Sequence, residues 1–275
     1  MAFFGDCKYS VDRLSNCDII ESNLWGKGIP GMNKTAEGNE LMKSDTVNTA
    51  VIPATKLEED SYDWWERHDQ VLKIKDEINP EIVLIGDSIT HFWGGLPDST
   101  TKHGEGQAWE SVFGGRRVLN LGFGWDRTQN VLWRLDNGQM EGLSPEWVVI
   151  NIGTNNTSGT DNARSSTAEE VRDGVRAIIE RVRTYAPSAR IILMAVFPRE
   201  ESPEDPRRKL IGQMNVLYAE LAEELGVTFL NIGPSMLAAD GTLPREIAFD
   251  TCHLTEQGYQ LWADALRKVM GIESK

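Results

Sequence analysis

The chain contains little cysteine, fewer basic than acidic residues and no long hydrophobic run. Its 275 residues include 3 cysteines, 28 lysines and arginines and 42 aspartates and glutamates, which gives a formal net charge of −14. An acidic chain repels nucleic acid phosphates and anionic lipid surfaces, so we expect neither nucleic acid nor a membrane as a partner. No segment reaches the roughly 20 apolar residues that a membrane span requires.

Three cysteines are too few for a disulfide framework, and their odd number leaves at least one thiol free. Cys7 and Cys17 can pair in an oxidising compartment, while Cys252 lies far along the chain. No signal peptide is visible, so we expect a cytoplasmic location with reduced thiols, or secretion if a leader is removed. No residue spacing is typical of a zinc or calcium site, so no metal or cofactor is expected.

Residues 1–60 are weakly periodic and rich in small polar residues, which predicts an extended N-terminal arm. Phe3, Phe4, Trp25 and Ile29 would be unusual in a solvated tail, so we expect the arm to pack on the core. The remaining residues, 61–275, are enough to form a single domain with one large core.

This domain alternates between apolar, strand-like runs and amphipathic segments. Strands are predicted at Ile82–Ile85, Val118–Leu121, Trp147–Ile152, Arg190–Phe197 and Val227–Ile232. Helices are predicted at 61–78, about 127–137, 167–186, 206–225 and 256–270. Alternation of strand and helix at this spacing is typical of a parallel sheet covered on both faces, and hence of an α/β fold.

Polar segments follow several of these strands or precede the last helix. They are Gly86-Asp87-Ser88, Asn120–Asp126, Gly153–Asn156 and Asp250–His253. Open α/β sheets bind ligands at the carboxyl ends of their strands, where a helix start also offers N–H groups to negative charge. Ser88, Asp250 and His253 are the residue types of a nucleophile, an orienting acid and a base.

The four segments resemble blocks I, II, III and V of the SGNH (GDSL) hydrolase superfamily. Residues 126–135, DRTQNVLWRL, are most similar to the branch that contains the platelet-activating-factor acetylhydrolase catalytic subunits. The resemblance covers roughly residues 80–270. It implies a flavodoxin-like three-layer α/β/α fold with a five-stranded parallel sheet in the order 2-1-3-4-5. It also implies cofactor-free hydrolysis of acyl esters, often acetyl esters.

The resemblance implies a role for each site residue. Ser88 would attack the ester carbonyl, His253 would act as the base, and Asp250 would orient His253. The side chain of Asn155 and the backbone N–H groups of Ser88 and Trp125 would form the oxyanion hole. The family has glycine where Trp125 stands, so its N–H can serve only if its backbone angles are allowed. Its indole would then line the pocket and favour a small acyl group.

Two further residues, His91 and Trp93, are predicted to line the substrate site. His91 follows Ser88 by three residues and is also a rival base, but no carboxylate is spaced to orient it, which favours a wall or packing role. Trp93, Trp109 and Trp125 fall near the predicted rim, where flat aromatic faces suit sugar rings; plain packing is the alternative. Arg127 and Arg134 are expected to pair with Asp126 or Asp136.

Together these features predict a serine esterase that removes short acyl groups, above all acetyl, from a saccharide or another small hydroxylated molecule. Two alternatives stay open at this point. One is a lysophospholipase or thioesterase of the same fold, and the other is a carbohydrate-binding protein without turnover. Related acetylhydrolase subunits form dimers, so a homodimer is a further expectation that no residue of this sequence tests.

Overall fold

A five-stranded parallel sheet forms the centre of the computed structural model, which describes residues 41–43, 47–99 and 102–272. Its strands are β1 (Ile82–Gly86), β2 (Val118–Gly122), β3 (Trp147–Asn151), β4 (Arg190–Met194) and β5 (Thr228–Leu230). They lie in the order β2-β1-β3-β4-β5, and every pair is parallel. The predicted α/β class and the predicted strand order are therefore confirmed.

The last two strands are shorter than predicted, although residues 195–197 after β4 remain buried. Ala195 still donates its N–H to the carbonyl of Leu230, at 2.9 Å. Beyond it, the side chain of Asn215 binds both the N–H and the C=O of Val196, at 2.8 and 3.0 Å. The Asn215 side chain thus satisfies backbone groups that a longer strand would have paired. The apolar run in the sequence therefore overestimated the length of β4.

Helices cover both faces of the sheet. They are α1 (Trp64–Ile78), α2 (Ser88–His91), α3 (Gln107–Phe113), α4 (Thr128–Asp136), α5 (Ala168–Tyr185), α6 (Pro206–Leu225), α7 (Gly233–Met236) and α8 (Glu256–Met270). The first begins three residues later than predicted because Asp63, not an earlier residue, accepts the N–H groups of Trp65 and Glu66. The short helices α3 and α7 were not predicted. None of the described helices has the length and apolar character needed to cross a bilayer.

The core consists mainly of two layers, one on each face of the sheet. On β1, Val83 and Ile85 face one layer, whereas Ile82 and Leu84 face the other. Helices α1, α4, α5 and α6 contribute to the first layer, and α2, α3 and α8 contribute to the second. Because every residue of β1 is buried, its sequence is continuously apolar rather than alternating.

The described part of the N-terminal arm lies against α4. Ala50 and Ala54 are fully buried. The carbonyl of Ala50 accepts the Thr128 hydroxyl at 2.8 Å, and Ala54 donates its N–H to the carbonyl of Gln129 at 3.0 Å. Residues 1–40, including Cys7 and Cys17, lie outside the described residues. Packing of the whole arm on the core therefore stays a prediction.

We predict that Gly86→Ala destabilises the protein by about 1–3 kcal/mol, because the strand end has no room for a side chain. A Cβ at this position would lie 2.1 Å from the Thr90 hydroxyl and 2.5 Å from the carbonyl oxygen of Asn151. Urea titration gives the free energy of unfolding. Gly212→Ala is the matched control, since among the described residues nothing beyond the adjacent residues and backbone of its own helix lies within 4 Å of the added Cβ, and α6 gains helix propensity. Equal effects of the two substitutions would contradict this prediction.

Candidate active site

The carboxyl ends of the three neighbouring strands β2, β1 and β3 bring the predicted site segments together. Gly86 at the end of β1 pairs with Gly122 of β2 and with Asn151 of β3. Ser88 begins α2 two residues later, and the Asp87 carboxyl caps this helix by accepting the N–H of Ile89 at 3.0 Å. Ser88 is only 7% exposed. The strand-to-helix turn therefore holds its hydroxyl at the edge of the sheet.

Ser88, His253 and Asp250 form a continuous hydrogen-bonded chain. The Nε2 atom of His253 lies 2.9 Å from the Ser88 Oγ, and its Nδ1 lies 2.6 Å from Oδ2 of Asp250. With the ring proton on Nδ1, the imidazole donates to the carboxylate and accepts from the hydroxyl. The arrangement can therefore take a proton from the serine while the carboxylate stabilises the resulting imidazolium.

A tight loop before α8 orients the imidazole. The Oδ1 atom of Asp250 accepts the backbone N–H groups of His253 and Cys252, at 2.7 and 3.0 Å, while Oδ2 binds the ring. Partial burial acts to raise the pKa of Asp250, but the hydrogen bonds from His253 and from the loop backbone outweigh it and lower the pKa. Burial raises the pKa of the free thiol of Cys252 to about 11, so this neighbouring group stays uncharged.

Each predicted oxyanion donor has a backbone or side-chain N–H that can serve this role. Trp125 has a φ of 62°, in the left-handed region that a glycine adopts freely, and it is 41% exposed. Asn155 donates one amide hydrogen to the carbonyl of Asp126 at 3.0 Å, which leaves its second hydrogen available. The Ser88 N–H lies in the first turn of α2, where a helix has no acceptor for it.

Two aromatic rings that were not predicted as part of the site lie beside the imidazole. The rings of Phe92 and Phe249 lie 5.1 and 6.1 Å from that of His253. His103 is half-buried between these phenylalanines, and burial followed by the His253 charge lowers its pKa. Two signals were available, because Phe92 follows Ser88 by one helical turn and Phe249 directly precedes Asp250.

Trp93 does not reach the site. Its side chain is fully buried, with its ring 4.2 Å from that of Trp262 and 5.4 Å from that of Tyr259. Trp109 and Phe113 complete this aromatic cluster between α2, α3 and α8. The prediction that Trp93 binds substrate is therefore wrong, because Trp93 is buried among large rings behind α2.

His91 is also a packing residue. It is 2% exposed, its ring lies 4.7 Å from that of Tyr62, and Nδ1 has no hydrogen-bond partner among the described residues. Burial, followed by the charges of Arg67 and Arg134, lowers its pKa to about 2, so the ring is neutral. The bond between His253 and Ser88 leaves no base role for it. This burial contradicts the predicted substrate contact and supports the packing interpretation.

The two arginines after the Trp125 segment behave differently. Arg134 pairs with Asp126 at 2.7 Å, as predicted, and both side chains are buried. Arg127 is fully buried, has no ion pair with a carboxylate of the described residues, and donates to the carbonyls of Ser158 and Arg164 at 2.8 and 3.1 Å. Its predicted pairing with Asp126 or Asp136 is wrong, because the loop after β3 surrounds its guanidinium with backbone acceptors.

Comparison with known proteins gives consistent matches over this region. A family model described as GDSL-like lipase/acylhydrolase matches residues 84–261. Platelet-activating factor acetylhydrolase IB subunit alpha1 of Rattus norvegicus is 34% identical over 75% of this chain and 82% of its own length. Subunit alpha2 of the same species is 33% identical over 79% of this chain and 88% of its own length.

Solved structures show the same fold at lower identity. A GDSL-like lipase from Bacteroides thetaiotaomicron superposes with a TM-score of 0.57 at 19% identity, over 74% of this chain and 98% of its own. An acetylxylan esterase from Geobacillus stearothermophilus gives a TM-score of 0.57 at 21% identity, over 70% and 95%. The fold described above is thus shared with acylhydrolases of this type.

The burial of His91 predicts a pH dependence of stability. The folded ring has a lowered pKa, so the unfolded chain binds more protons below its own pKa of about 6.5, and stability falls as the pH falls. Between pH 7.5 and 5.5 the wild type should lose about 1.4 kcal/mol relative to His91→Phe, which keeps an aromatic ring but cannot titrate. Urea unfolding at both pH values measures the difference. A difference that does not change with pH would contradict this prediction.

Proposed function

Since the chain belongs to the GDSL-like lipase/acylhydrolase family and is a carboxylic ester hydrolase, we propose that it is a serine esterase that removes short acyl groups through an acyl-serine intermediate. The observation that carries this proposal is the chain of contacts from Ser88 through His253 to Asp250, at 2.9 and 2.6 Å. A serine hydroxyl is a weak nucleophile unless a base lies within hydrogen-bond reach, and His253 lies within that reach.

In the first half of the reaction, the Ser88 oxygen attacks the ester carbonyl carbon as its proton passes to Nε2 of His253. Asp250 holds the ring and stabilises the imidazolium. The tetrahedral intermediate then expels the alcohol oxygen, which takes the proton from His253. In the second half, His253 removes a proton from water, the resulting hydroxide attacks the acyl-serine, and the acid leaves as Ser88 regains its proton.

The negative oxygen of each tetrahedral intermediate is stabilised by three donors: the backbone N–H groups of Ser88 and Trp125 and the side-chain amide of Asn155. Backbone donors held at the end of a sheet need no reorganisation during the reaction, which is why such holes are effective. The left-handed backbone of Trp125 supports this assignment, since it gives the residue the geometry of the glycine that the family has there.

Two observations support a substrate in which a small acyl group is esterified to a saccharide or another small hydroxylated molecule. The relatives that are 33–34% identical are named acetylhydrolases. Trp125 and Phe249 are 41% and 42% exposed; the first carries one of the proposed oxyanion donors, and the ring of the second lies 6.1 Å from that of His253. The first can limit acyl length, and the second offers a flat face to the ring of a departing saccharide. A homodimer stays a prediction.

Ser88→Ala should lower kcat for p-nitrophenyl acetate by about 10⁴-fold or more, because a serine esterase has no substitute for its nucleophile. Initial rates with p-nitrophenyl esters from acetate to octanoate, and with acetylated xylobiose, measure activity; a fluorophosphonate probe reports Ser88 by mass shift. Ser111→Ala, a substitution of the same kind in α3, is the control. Unchanged hydrolysis by Ser88→Ala would rule out the assigned nucleophile.

The same series separates the alternatives. Rates that rise with chain length would favour a lysophospholipase or thioesterase. A wild type that neither hydrolyses any ester nor reacts with the probe would favour a binding protein. A steep fall beyond acetate or propionate supports the function proposed here.

Trp125→Gly and Trp125→Ala should both extend the accepted acyl chain by several carbons while retaining acetate hydrolysis, because the donor at position 125 is a backbone N–H. Only the glycine variant should also gain stability, by about 1 kcal/mol, since glycine adopts positive φ without strain. The measurements are kcat/KM against chain length and the free energy of unfolding. An unchanged chain-length profile in both variants would remove the indole from the acyl pocket.

A further inference from the structure

The carboxylate of Asp126 lies buried beneath the segment that carries Trp125. It is 2% exposed, and each oxygen is held from a different helix. Oδ1 accepts the indole N–H of Trp64, the first residue of α1, at 2.8 Å. Oδ2 accepts Nε–H of Arg134, near the end of α4, at 2.7 Å. One side chain thus ties the loop after β2 to two helices.

The main chain of Asp126 adjoins two of the three proposed oxyanion donors, Trp125 and Asn155. On its amino side it follows Trp125, whose N–H is one donor. On its carboxyl side its carbonyl accepts the amide of Asn155 at 3.0 Å, which orients the other donor. The N–H of Asp126 itself closes a turn onto the carbonyl of Phe123 at 3.2 Å. Any displacement of Asp126 would therefore move two donors together.

We propose that Asp126, held by Trp64 and Arg134, is the positioning residue of the oxyanion hole. The proposal rests on the esterase function proposed above. A bulky residue at positive φ is disfavoured and persists only where its surroundings hold it. At Trp125 those surroundings are the Asp126 contacts on one side and the hydrogen bond from the Tyr62 hydroxyl to the carbonyl of Gly124, at 3.2 Å, on the other.

The charges of this pair favour positioning over mere stabilisation. A buried ion pair adds little net stability compared with apolar side chains of the same volume, because both charges must leave water. The pair does restrict the relative orientation of the two side chains, because the hydrogen bonds between a carboxylate and a guanidinium have preferred angles. The guanidinium of Arg134 is itself fixed, 4.0 Å over the ring of Phe123 and 2.6 Å from Oε1 of Gln139. The contact with Arg134 therefore fixes the position of the loop after β2 relative to α4.

Trp64→Phe tests the proposal because it removes one hydrogen bond to Asp126 and keeps an aromatic ring. We expect kcat for p-nitrophenyl acetate to fall about tenfold with KM changed less than about twofold, since oxyanion donors act mainly in the transition state. Trp133→Phe is the matched control. Its ring lies 5.5 Å from that of Trp64 in the same cluster, and it makes no hydrogen bond to Asp126.

Binding of an aryl trifluoromethyl ketone separates positioning from stability. This inhibitor forms a tetrahedral adduct with Ser88 whose oxygen mimics the oxyanion, so its affinity should fall by the same factor as kcat in Trp64→Phe. Lower thermal stability alone would not change that affinity in assays far below the melting temperature. Asp126→Asn, which keeps an acceptor for Trp64 but not the charge for Arg134, should show a larger loss of the same kind and serves if Trp64→Phe does not fold.

Equal kcat values for Trp64→Phe and Trp133→Phe would overturn the proposal, as would a lower kcat with unchanged inhibitor affinity. Ser88→Ala separates this failure from failure of the esterase function. If Ser88→Ala is inactive and the two tryptophan variants are equal, only the positioning role is wrong. If Ser88→Ala keeps full activity, the esterase function is wrong.

Discussion

The parallel pairing of β1 with β2 and β3 is the interaction on which the site depends. Gly86 pairs with Gly122 on one side and with Asn151 on the other, so the three strands end at the same level of the sheet. Ser88, Trp125 and Asn155 come from the loops that follow, although 67 residues separate the first and the last in sequence. Parallel strands have their carboxyl ends at one edge of the sheet. The backbone hydrogen bonds between them therefore bring the three loops that follow to the same place.

The second half of the site is built locally. Asp250 and His253 lie in one loop, where a single carboxylate accepts two backbone N–H groups and the imidazole N–H. The internal geometry of that loop is set by its own hydrogen bonds, and the rest of the fold determines only its position relative to Ser88. The proposed oxyanion side has the opposite character, because Asp126, the residue after Trp125, is held by hydrogen bonds from α1, α4 and the loop after β3. The proposed base is thus positioned locally, whereas the proposed oxyanion hole draws on elements that are distant in sequence.

Much of this arrangement was predictable. Largely apolar runs predicted all five strands. The reason is clearest for β1, β2 and β3, in which every residue is buried, whereas β5 is partly exposed. The errors have physical causes. Trp93 was assigned to the substrate site because it falls near the predicted rim, but it lies just after the short helix α2, and its ring packs inward against rings of α3 and α8. Phe249 was overlooked because an exposed aromatic has no periodic signal.

The amino-acid sequence alone indicates which residue types follow which strands, the strand order that the family resemblance implies, and the local spacing of Asp250 and His253. Three features are visible only in the folded chain: His253, rather than His91, contacts Ser88; Trp125 has a left-handed backbone; and Asp126 is shared by Trp64 and Arg134. The reason is that hydrophobic periodicity and loop chemistry are encoded within short segments. Contacts across tens of residues depend on how whole layers pack, which short segments do not specify.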